Sequence, residues 1–303
     1  MIYYSSARDF SESLAPVEVA GKWGFINTNM EWALLPQFDD AWSFYEGLAS
    51  VRLNDKWGYI VRGGEFVIPP TFDHACRFSE GFAAVNIGGK CGFIDKNGYI
   101  AIATRFDEVK SFSEGVAAVC LEGKFGYIDH GGFFQIPPQY DEAHSYSEGL
   151  ASVEKNGEWR YINHENRIAI ASPFKDWAGT FFEGLASIKI NGKVGYINKK
   201  GQIAINAEYS WGGPFSDGLA SVESKVHPHG CKPKFGFINK QGIHVIPSTF
   251  ENTGPYIEGW IRVKSRNGWG FLNPCSLTKH IFPQTNAGRA RRNINVLAKG
   301  VSA

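Results

Sequence analysis

The chain has 303 residues, of which 43% are hydrophobic and 15% aromatic, and its 31 Lys and Arg nearly balance its 30 Asp and Glu. A net charge this close to zero argues against a protein that coats nucleic acid or adsorbs to a membrane surface, and no apolar run reaches the ~18 residues of a membrane span. The first ten residues lack the basic and apolar stretches of a signal peptide, and five cysteines without regular spacing suit a reducing compartment, so we expect a cytoplasmic protein.

A segment of related sequence recurs eight times along the chain. Two clear copies are Phe-Tyr-Glu-Gly-Leu-Ala-Ser-Val, starting at Phe44, and Phe-Ser-Glu-Gly-Phe-Ala-Ala-Val, starting at Phe78. The copies start at residues 10, 44, 78, 112, 146, 181, 215 and 256, and the one long interval contains an insertion from Ser224 to Pro233. A fixed period of 34 residues indicates a repeat architecture in which neighbouring units stack.

Each unit predicts a β-meander of three short strands. The strand Leu-Ala-x-Val is followed by a two-residue turn such as Asn191-Gly192, which suits a type I′ hairpin, and then by a strand such as Lys56–Ile60. A turn closed by glycine, as at Gly98, leads to a third strand that we expect to end at Ile-Pro-Pro, because proline cannot donate to a ladder. Phe-Asp-x-Ala closes the unit, and one helical turn is expected between it and the next Glu-Gly.

The glycine that follows tryptophan in the second strand needs a special reason. Glycine inside a strand costs stability unless something packs closely over the backbone. We therefore expect an aromatic side chain from a neighbouring strand to lie over Gly58 and Gly126.

These motifs resemble those of the bacterial WG-repeat (KWG-repeat) proteins. The resemblance rests on Lys-Trp-Gly-Tyr-Ile, Ile-Pro-Pro, Phe-Asp-x-Ala and Phe-Ser-Glu-Gly-Leu-Ala, and it covers about Tyr4 to Pro283. It implies an all-β repeat array and carries no defined active site. Arg160 departs from the pattern, since it replaces the glycine of Trp-Gly, and the fifth and sixth units have a weaker register.

The units either close into a β-propeller-like ring or form an open β-solenoid. Tyr4-Ser5-Ser6-Ala7 resembles the unit tail Phe38-Asp39-Asp40-Ala41, and the last unit lacks that tail. The N-terminus thus supplies what the C-terminal unit omits, which favours the ring. We expect residues 1–284 to form a single β domain and residues 285–303 to form a basic tail that is solvated.

The recurring carboxylates predict structure rather than catalysis. An active site occurs once in a chain, whereas these residues recur in nearly every unit, so we expect them to bond to backbone N–H groups in turns. The glutamates of the Glu-Gly turns, with one aspartate, are Glu12, Glu46, Glu80, Glu114, Glu148, Glu183, Asp217 and Glu258, and the aspartates of Phe-Asp are Asp39, Asp73, Asp107 and Asp141.

Other chemistry has little support in the sequence. There is no Gly-x-Ser-x-Gly nucleophile motif and no phosphate-binding glycine loop, so we expect no catalytic residue and no cofactor. His227, His229 and Cys231 alternate within the insertion and are good zinc ligands, but a structural site needs four. We expect them to be loop residues without a metal.

The sequence favours a non-catalytic platform that binds another protein. Repeat arrays present broad surfaces, and their function lies in the positions that vary between units. One form would be a regulatory or immunity-type partner of a bacterial effector. The alternative is a glycan-binding or cell-wall-binding module, suggested by nine Trp residues, while a hydrolase has only the abundant carboxylates to support it.

We expect the partner to contact variable positions that follow Phe-Asp-x-Ala. Positions buried by the repeat should be alike in every unit, so variation there indicates solvent exposure on one rim. Tryptophan and arginine are enriched at binding hot spots. The predicted partner-binding residues are Trp42, Arg77, Lys110, His144 and Trp177.

Overall fold

The computed structural model describes residues 2–174, 176–223 and 233–274, and every secondary-structure element that lies wholly within these ranges is a β-strand. The strands of the first half are β1 (Ser6–Ala7), β2 (Leu14–Val19), β3 (Lys22–Asn27), β4 (Trp32–Phe38), β5 (Asp40–Ala41), β6 (Ala49–Leu53), β7 (Lys56–Ile60), β8 (Phe66–Phe72), β9 (His74–Ser79), β10 (Phe82–Ile87), β11 (Lys90–Ile94), β12 (Ile100–Phe106), β13 (Glu108–Val109), β14 (Val116–Leu121), β15 (Lys124–Asp129) and β16 (Phe134–Tyr140). Those of the second half are β17 (Glu142–Ala143), β18 (Ala151–Lys155), β19 (Glu158–Ile162), β20 (Ile168–Phe174), β21 (Trp177–Phe182), β22 (Leu185–Ile190), β23 (Lys193–Asn198), β24 (Ile203–Tyr209), β25 (Gly212–Ser216), β26 (Leu219–Glu223), β27 (Phe235–Asn239), β28 (His244–Phe250), β29 (Asn252–Ile257), β30 (Trp260–Ser265) and β31 (Gly268–Leu272).

These strands form eight antiparallel meanders, one for each sequence repeat. Seven sheets have four strands in chain order, and the eighth contains β29, β30 and β31. We call each sheet a blade and number the blades 1 to 8 along the chain, so that blade 1 is β1–β4 and blade 8 begins at β29. Each blade combines the Phe-Asp-x-Ala tail of one sequence unit with the strands of the next.

The N-terminal segment completes blade 8 and closes a ring. The backbone N–H of Tyr4 donates to the carbonyl of Trp269 at 2.9 Å, and the N–H of Trp269 donates back at 3.0 Å. Tyr4 thereby occupies the place of Phe72, which pairs with Trp57 in blade 2. The chain is an eight-bladed β-propeller, as the sequence favoured.

Aromatic pairs join successive blades and supply much of the core. Tyr59 of blade 2 meets Phe78 of blade 3 with ring centroids 4.9 Å apart, and Phe271 of blade 8 meets Phe10 of blade 1 at 4.8 Å. The Tyr59 hydroxyl also donates to the carbonyl of Cys76 in the next blade, at 2.8 Å. Because burial desolvates this phenol, the pKa of Tyr59 is raised far above its ordinary value. The pair that closes the ring therefore repeats the geometry of the pair between blades 2 and 3.

The turns follow the predicted chemistry. Asn191 and Gly192 both have positive φ, 50° and 76°, as a type I′ hairpin requires. In the turn between the third and fourth strands of blade 3, the N–H of Gly98 donates to the carbonyl of Asp95 at 3.0 Å and Gly98 has φ 87°. Both turn predictions are confirmed.

Two local predictions were wrong. The strand does not end at Ile-Pro-Pro, because β8 runs through Pro69 and Pro70 to Phe72, with one shift of register across Gly58 and another between Tyr59 and Ile60. The fourth strand lies at the edge of its sheet, so its prolines need not donate to a further ladder. The expected helical turn is instead a first strand such as β9 (His74–Ser79).

The glycine of Trp-Gly is closely covered, but by backbone and not by an aromatic ring. A Cβ on Gly58 would lie 2.6 Å from the carbonyl oxygen of Ile68 and 2.7 Å from the nitrogen of Pro70. The fourth strand bulges directly over the glycine, because three residues of that strand lie opposite Gly58. The prediction of a tight cover was right, and the covering group was misassigned.

Candidate functional site

The first strands of the blades lie nearest the axis of the ring. Ser43 Oγ donates to the backbone oxygen of Asp9 in the preceding blade at 2.7 Å, and Ser79 Oγ donates to that of Phe112 in the following blade at 2.7 Å. The first strands β21, β25 and β29 also contact one another in turn. The first strands therefore decide which side chains are presented around the axis.

Two variable positions of these strands face the same side. They flank the small residue of Phe-Asp-x-Ala, and residues two apart in a strand point to one face. The position before the small residue carries Asp40, His74, Glu108, Glu142, Trp177 and Trp211 in blades 2 to 7, and the position after it carries Arg8, Trp42, Cys76, Lys110 and His144 in blades 1 to 5, then Gly179, Gly213 and Gly254. We call the surface formed by Arg8, Asp40, Trp42, Lys110, His144, Trp177 and Trp211 the axial face.

Four of the five predicted partner-binding residues lie on the axial face. Trp42, with 42% of its surface exposed, shares its position with Lys110 and His144, and Trp177 lies two residues earlier in the repeat pattern. Arg77 does not belong with them. It is one residue further along β9, within the bulge that sets Cys76 and Arg77 opposite Ala84, and its guanidinium carbon lies 4.5 Å from the centre of the Tyr45 ring.

In blades 1 and 2 the axial face is built around Arg8. Its guanidinium lies 3.7 Å from the centre of the Trp42 ring and 4.6 Å from that of Trp23, and it forms an ion pair with Asp40 at 2.9 Å. Burial lowers the pKa of Arg8, against the opposing effect of Asp40. Because these contacts fix one side of the Trp42 ring, the other side is presented in a defined orientation.

In blades 4 to 6 the axial face is built around Lys110 and His144. Lys110 lies between Glu108 and Glu142, 3.9 Å from the latter. The His144 ring stacks on Trp159 at 5.1 Å and meets Trp177 edge-on at 6.1 Å, while its Nδ1 lies 2.8 Å from Ser152 Oγ. Burial and the nearby Lys110 charge lower the pKa of His144, so this ring is neutral at pH 7. His144 therefore positions Trp177 rather than supplying a charge.

Blades 6 and 7 use a different arrangement, in which tryptophan lies over glycine. A Cβ on Gly179 would lie 2.6 Å from the Trp177 ring, and a Cβ on Gly213 would lie 3.0 Å from the Trp211 ring. Trp211 also meets Phe235 at 5.6 Å and keeps 43% of its surface exposed. The glycines leave the space that these two rings occupy.

Sequence reasoning missed Arg8 and Trp211. Arg8 follows Ala7 in the N-terminal copy of the tail, and Trp211 precedes Gly212, which stands where most units have alanine. Both residues therefore lie beside the small residue of the tail, at the two positions that vary between units. The extra residue Lys175 and the loss of alanine obscured the register in blades 6 and 7.

The recurring glutamates link neighbouring blades, which confirms their structural role. Glu46 accepts a hydrogen bond from the N–H of Gly81 at 3.0 Å and forms an ion pair with Lys96 at 3.1 Å. Glu258 closes the series by accepting hydrogen bonds from the N–H groups of Glu12 and Ser13. Burial alone would raise the pKa of Glu46, but the bonds from Lys96 and Gly81 outweigh it and hold this pKa below its usual range.

The aspartates of Phe-Asp are equally structural. Asp73 pairs with Lys56 of the Lys-Trp-Gly motif at 2.5 Å and accepts a hydrogen bond from the N–H of Gly88 at 2.7 Å. The bond from Lys56 holds the pKa of Asp73 below its usual range. Aspartates such as Asp73 and Asp39 therefore join a lysine of one blade to the hairpin turn of the next blade.

The described residues contain no group of three or more His, Cys, Asp or Glu side chains that could hold a metal ion. His227, His229 and Cys231 lie outside the described residues, and so does the basic tail 285–303. Within the described ranges there is also no helix long and apolar enough to cross a membrane.

A family model described as WG containing repeat matches eight consecutive segments of the chain, 2–23, 23–57, 57–91, 92–125, 125–159, 159–193, 195–225 and 235–269. The chain is a WG-repeat protein. The matched segments begin and end near the Trp-Gly motif, whose glycine allows the fourth strand to lie directly on the third. No curated protein matches the sequence of this WG-repeat protein.

Solved structures resemble the WG-repeat protein in fold. The dihydro-heme d1 dehydrogenase NirN matches with a TM-score of 0.59 and 12% identity over 88% of this chain and 71% of its own, and a eukaryotic initiation factor matches with a TM-score of 0.55 and 8% identity over 90% of each chain. PorZ of Porphyromonas gingivalis matches with a TM-score of 0.42 and 9% identity over 93% of this chain, which spans 46% of the PorZ chain. At such identities the first two matches show the propeller fold alone.

Proposed function

We propose that this WG-repeat protein is a non-catalytic module that binds another protein through its axial face. The proposal rests on one observation: Trp42 and Trp211 are held in place by a rigid frame yet each keeps more than two fifths of its surface exposed. Exposed tryptophans of this kind are the side chains that most often carry binding energy at protein interfaces.

The charges of the axial face support a binding role over catalysis. Arg8 pairs with Asp40, and Lys110 lies between two glutamates, so these groups are already neutralised. A catalytic acid or base needs an available carboxylate or imidazole, whereas the recurring carboxylates hold blades together and His144 is enclosed by two tryptophans. A cytoplasmic regulatory or immunity-type partner of a bacterial effector is one form that this binding would take.

The test is capture of the partner by the full chain from the cytoplasm of its native cell. Trp42→Ala and Trp211→Ala should each reduce the recovery of the captured protein at least ~10-fold, as expected for hot-spot residues, while the melting temperature changes little. The matched control is Trp32→Ala, because Trp32 is 41% exposed but lies on a fourth strand, away from the axis. Equal loss of capture in all three variants would contradict the axial site.

Glycan binding is the second candidate, because exposed indole rings such as Trp42 and Trp211 can also stack on sugar faces. Purified cell wall serves as the probe in a sedimentation assay with the same three variants. Sedimentation of the wild type that is lost in Trp42→Ala and Trp211→Ala, without any protein captured, would replace the protein partner by a glycan.

A further inference from the structure

The outer edge of each blade is a strand with one unpaired side. Such an edge can pair with another extended chain, and proteins block it with proline, which removes a donor and obstructs the approach. Most outer strands here contain proline, namely Pro36 in β4, Pro69 and Pro70 in β8, Pro137 and Pro138 in β16, Pro173 in β20 and Pro247 in β28. Only β12 and β24 among the seven fourth strands of the described chain contain none.

The edge of β12 is surrounded by exposed apolar side chains. Tyr99 directly precedes this strand and Ile100 begins it. These two residues are 73% and 48% exposed, and Phe133 is 72% exposed. Phe133 belongs to the turn of blade 4 that packs on β12, since a Cβ on Gly132 would lie 3.2 Å from Ile102 Cγ2 and Arg105 Nη2 donates to the Gly132 carbonyl at 3.4 Å. Two aromatic rings therefore flank a strand edge that carries no proline, beside the three residues of β12 that bulge over Gly92.

The other proline-free strand lacks these rings. In β24 the residue that corresponds to Tyr99 is Gln202, and the residue that corresponds to Phe133 in the next turn is Ile243. β24 therefore provides a control within the same molecule.

The charge at the β12 edge specifies a further property of the occupant. Arg105 is the one charged residue of β12, its side chain is exposed, and it forms no ion pair within the described part of the chain. A carboxylate on an approaching strand would complement this guanidinium.

We propose that β12 binds an extended, apolar segment of a partner protein as a fifth strand of blade 3. The added segment pairs its backbone with the open side of β12, places alternate apolar side chains against Tyr99, Ile100 and Phe133, and presents an Asp or Glu to Arg105. This mode of recognition takes affinity from the backbone and specificity from alternate side chains. The site lies at the outer edge of blade 3 and is independent of the axial face.

A phage library of random dodecapeptides, panned on the full chain, provides the first test. Sequences with alternating apolar residues and an acidic residue should be enriched on the wild type and not on Ala103→Pro. This variant installs proline where Pro69, Pro137 and Pro247 stand in other blades, so the fold already accommodates it. Absence of enrichment on the wild type, or equal enrichment on both proteins, would overturn the proposal.

A fluorescent peptide of the enriched sequence gives the quantitative test. The affinity of the protein for this peptide should fall at least ~10-fold in Ala103→Pro and in Phe133→Ser. Arg105→Glu should also weaken binding, and a peptide whose acidic residue is changed to lysine should restore it. The same proline placed in blade 6, Asn206→Pro, should leave the affinity unchanged. Binding of the peptide should also slow hydrogen exchange in residues 99–106 of the wild type, and this measurement does not depend on whether a variant folds.

If light scattering instead shows a wild-type dimer that Ala103→Pro abolishes, a second copy of the chain is the occupant and the peptide proposal is wrong.

Discussion

Gly58 shows how a single residue sets the distance between the third and fourth strands of a blade. With no Cβ, it allows the carbonyl of Ile68 and the nitrogen of Pro70 to lie within 2.7 Å of the place where a side chain would begin. Arg160 occupies the same position in blade 5, and there a cleft of about 190 Å³ lies beside Trp159 and Ala171. A side chain at this position therefore accompanies a cleft between the third and fourth strands, which keep the same pairing register as in blade 2.

Gly58→Val should destabilise the protein by about 3 kcal/mol or more, at the upper end of ordinary point substitutions. The new side chain would collide with backbone, which cannot rotate away as a flexible side chain can. Chemical denaturation monitored by tryptophan fluorescence measures the change. Arg160→Val is the matched control and should alter stability far less, and equal effects at the two positions would show that the cover over Gly58 is not tight.

The candidate site could be predicted in part from single residues. Trp42, Lys110 and His144 take equivalent positions in their strands, as their place after Phe-Asp-x-Ala indicated, but of the three only Trp42 is exposed, because two tryptophans enclose His144. Arg77 lies one residue further along, in the bulge of β9 opposite Ala84, and its guanidinium lies over the ring of Tyr45. Trp211 was missed because Gly212 replaces the alanine by which the repeats were aligned.

Among the elements, the Glu-Gly turn has an unusual residue in its first position. Glu46 has φ 53° and Gly47 has φ 85°, a type I′ geometry in which asparagine or glycine is usual. The contacts of Glu46 with Gly81 and Lys96 of the next blade offset the cost of this conformation. The sequence showed that the glutamate recurs, and its distant partners became visible only once the blades were assembled.

Glu46→Ala should lower the free energy of unfolding by about 1–3 kcal/mol, because it leaves the N–H of Gly81 without its charged acceptor. Glu122→Ala is the matched control, since Glu122 also has positive φ, 53°, in a two-residue hairpin, but its side chain forms no hydrogen bond or ion pair with another blade within the described residues. Thermal unfolding of both variants separates the two effects. A similar loss in Glu122→Ala would attribute the effect to backbone conformation alone.

The same turns make stability depend on pH. The pKa values of Glu46, Glu148 and Glu183 are held below their usual value by lysine and backbone donors, which outweigh the effect of burial. A depressed folded-state pKa stabilises the protein above the unfolded-state value of 4.5, and this contribution is lost as the pH falls below it. Unfolding measured from pH 7 to pH 3 should show this loss. The triple change of these residues to glutamine should make the acid side of the curve less steep, and an unchanged slope would contradict the assignment.

Strand order and turn type followed from local sequence, whereas the path of the fourth strand did not. Proline at Pro69 and Pro70 ends a strand that must donate on both sides, but an edge strand has one side free. The three-to-one bulge over Gly58 depends on the close contact of two strands and cannot be deduced from either strand separately.

At the scale of the whole molecule, the closure of blade 8 by the N-terminus holds the ring together. Tyr4 pairs with Trp269, Asp9 forms an ion pair with Arg262 at 2.8 Å, and Phe10 packs on Phe271. Arg262 also donates to the carbonyl of Ala7 at 3.0 Å. Backbone pairing, an ion pair and core packing thus all join blade 8 to the N-terminal segment, where no continuous chain connects the two.

Deletion of residues 1–10 should therefore lower the melting temperature by ~10 °C or more, since several kcal/mol are removed at about 2–4 °C per kcal/mol for a domain of this size. Apolar residues of blade 8 such as Phe271 would lose their cover, so the truncated protein should also associate. A synthetic peptide of residues 1–12, added in excess, should restore part of the lost stability, because it can occupy the vacated edge of β31, while a scrambled peptide should not. Differential scanning calorimetry and light scattering measure both effects. If the truncated protein melts at the wild-type temperature and stays monomeric, the N-terminal segment does not hold the ring closed, and stability resides in the individual blades and the contacts between covalent neighbours.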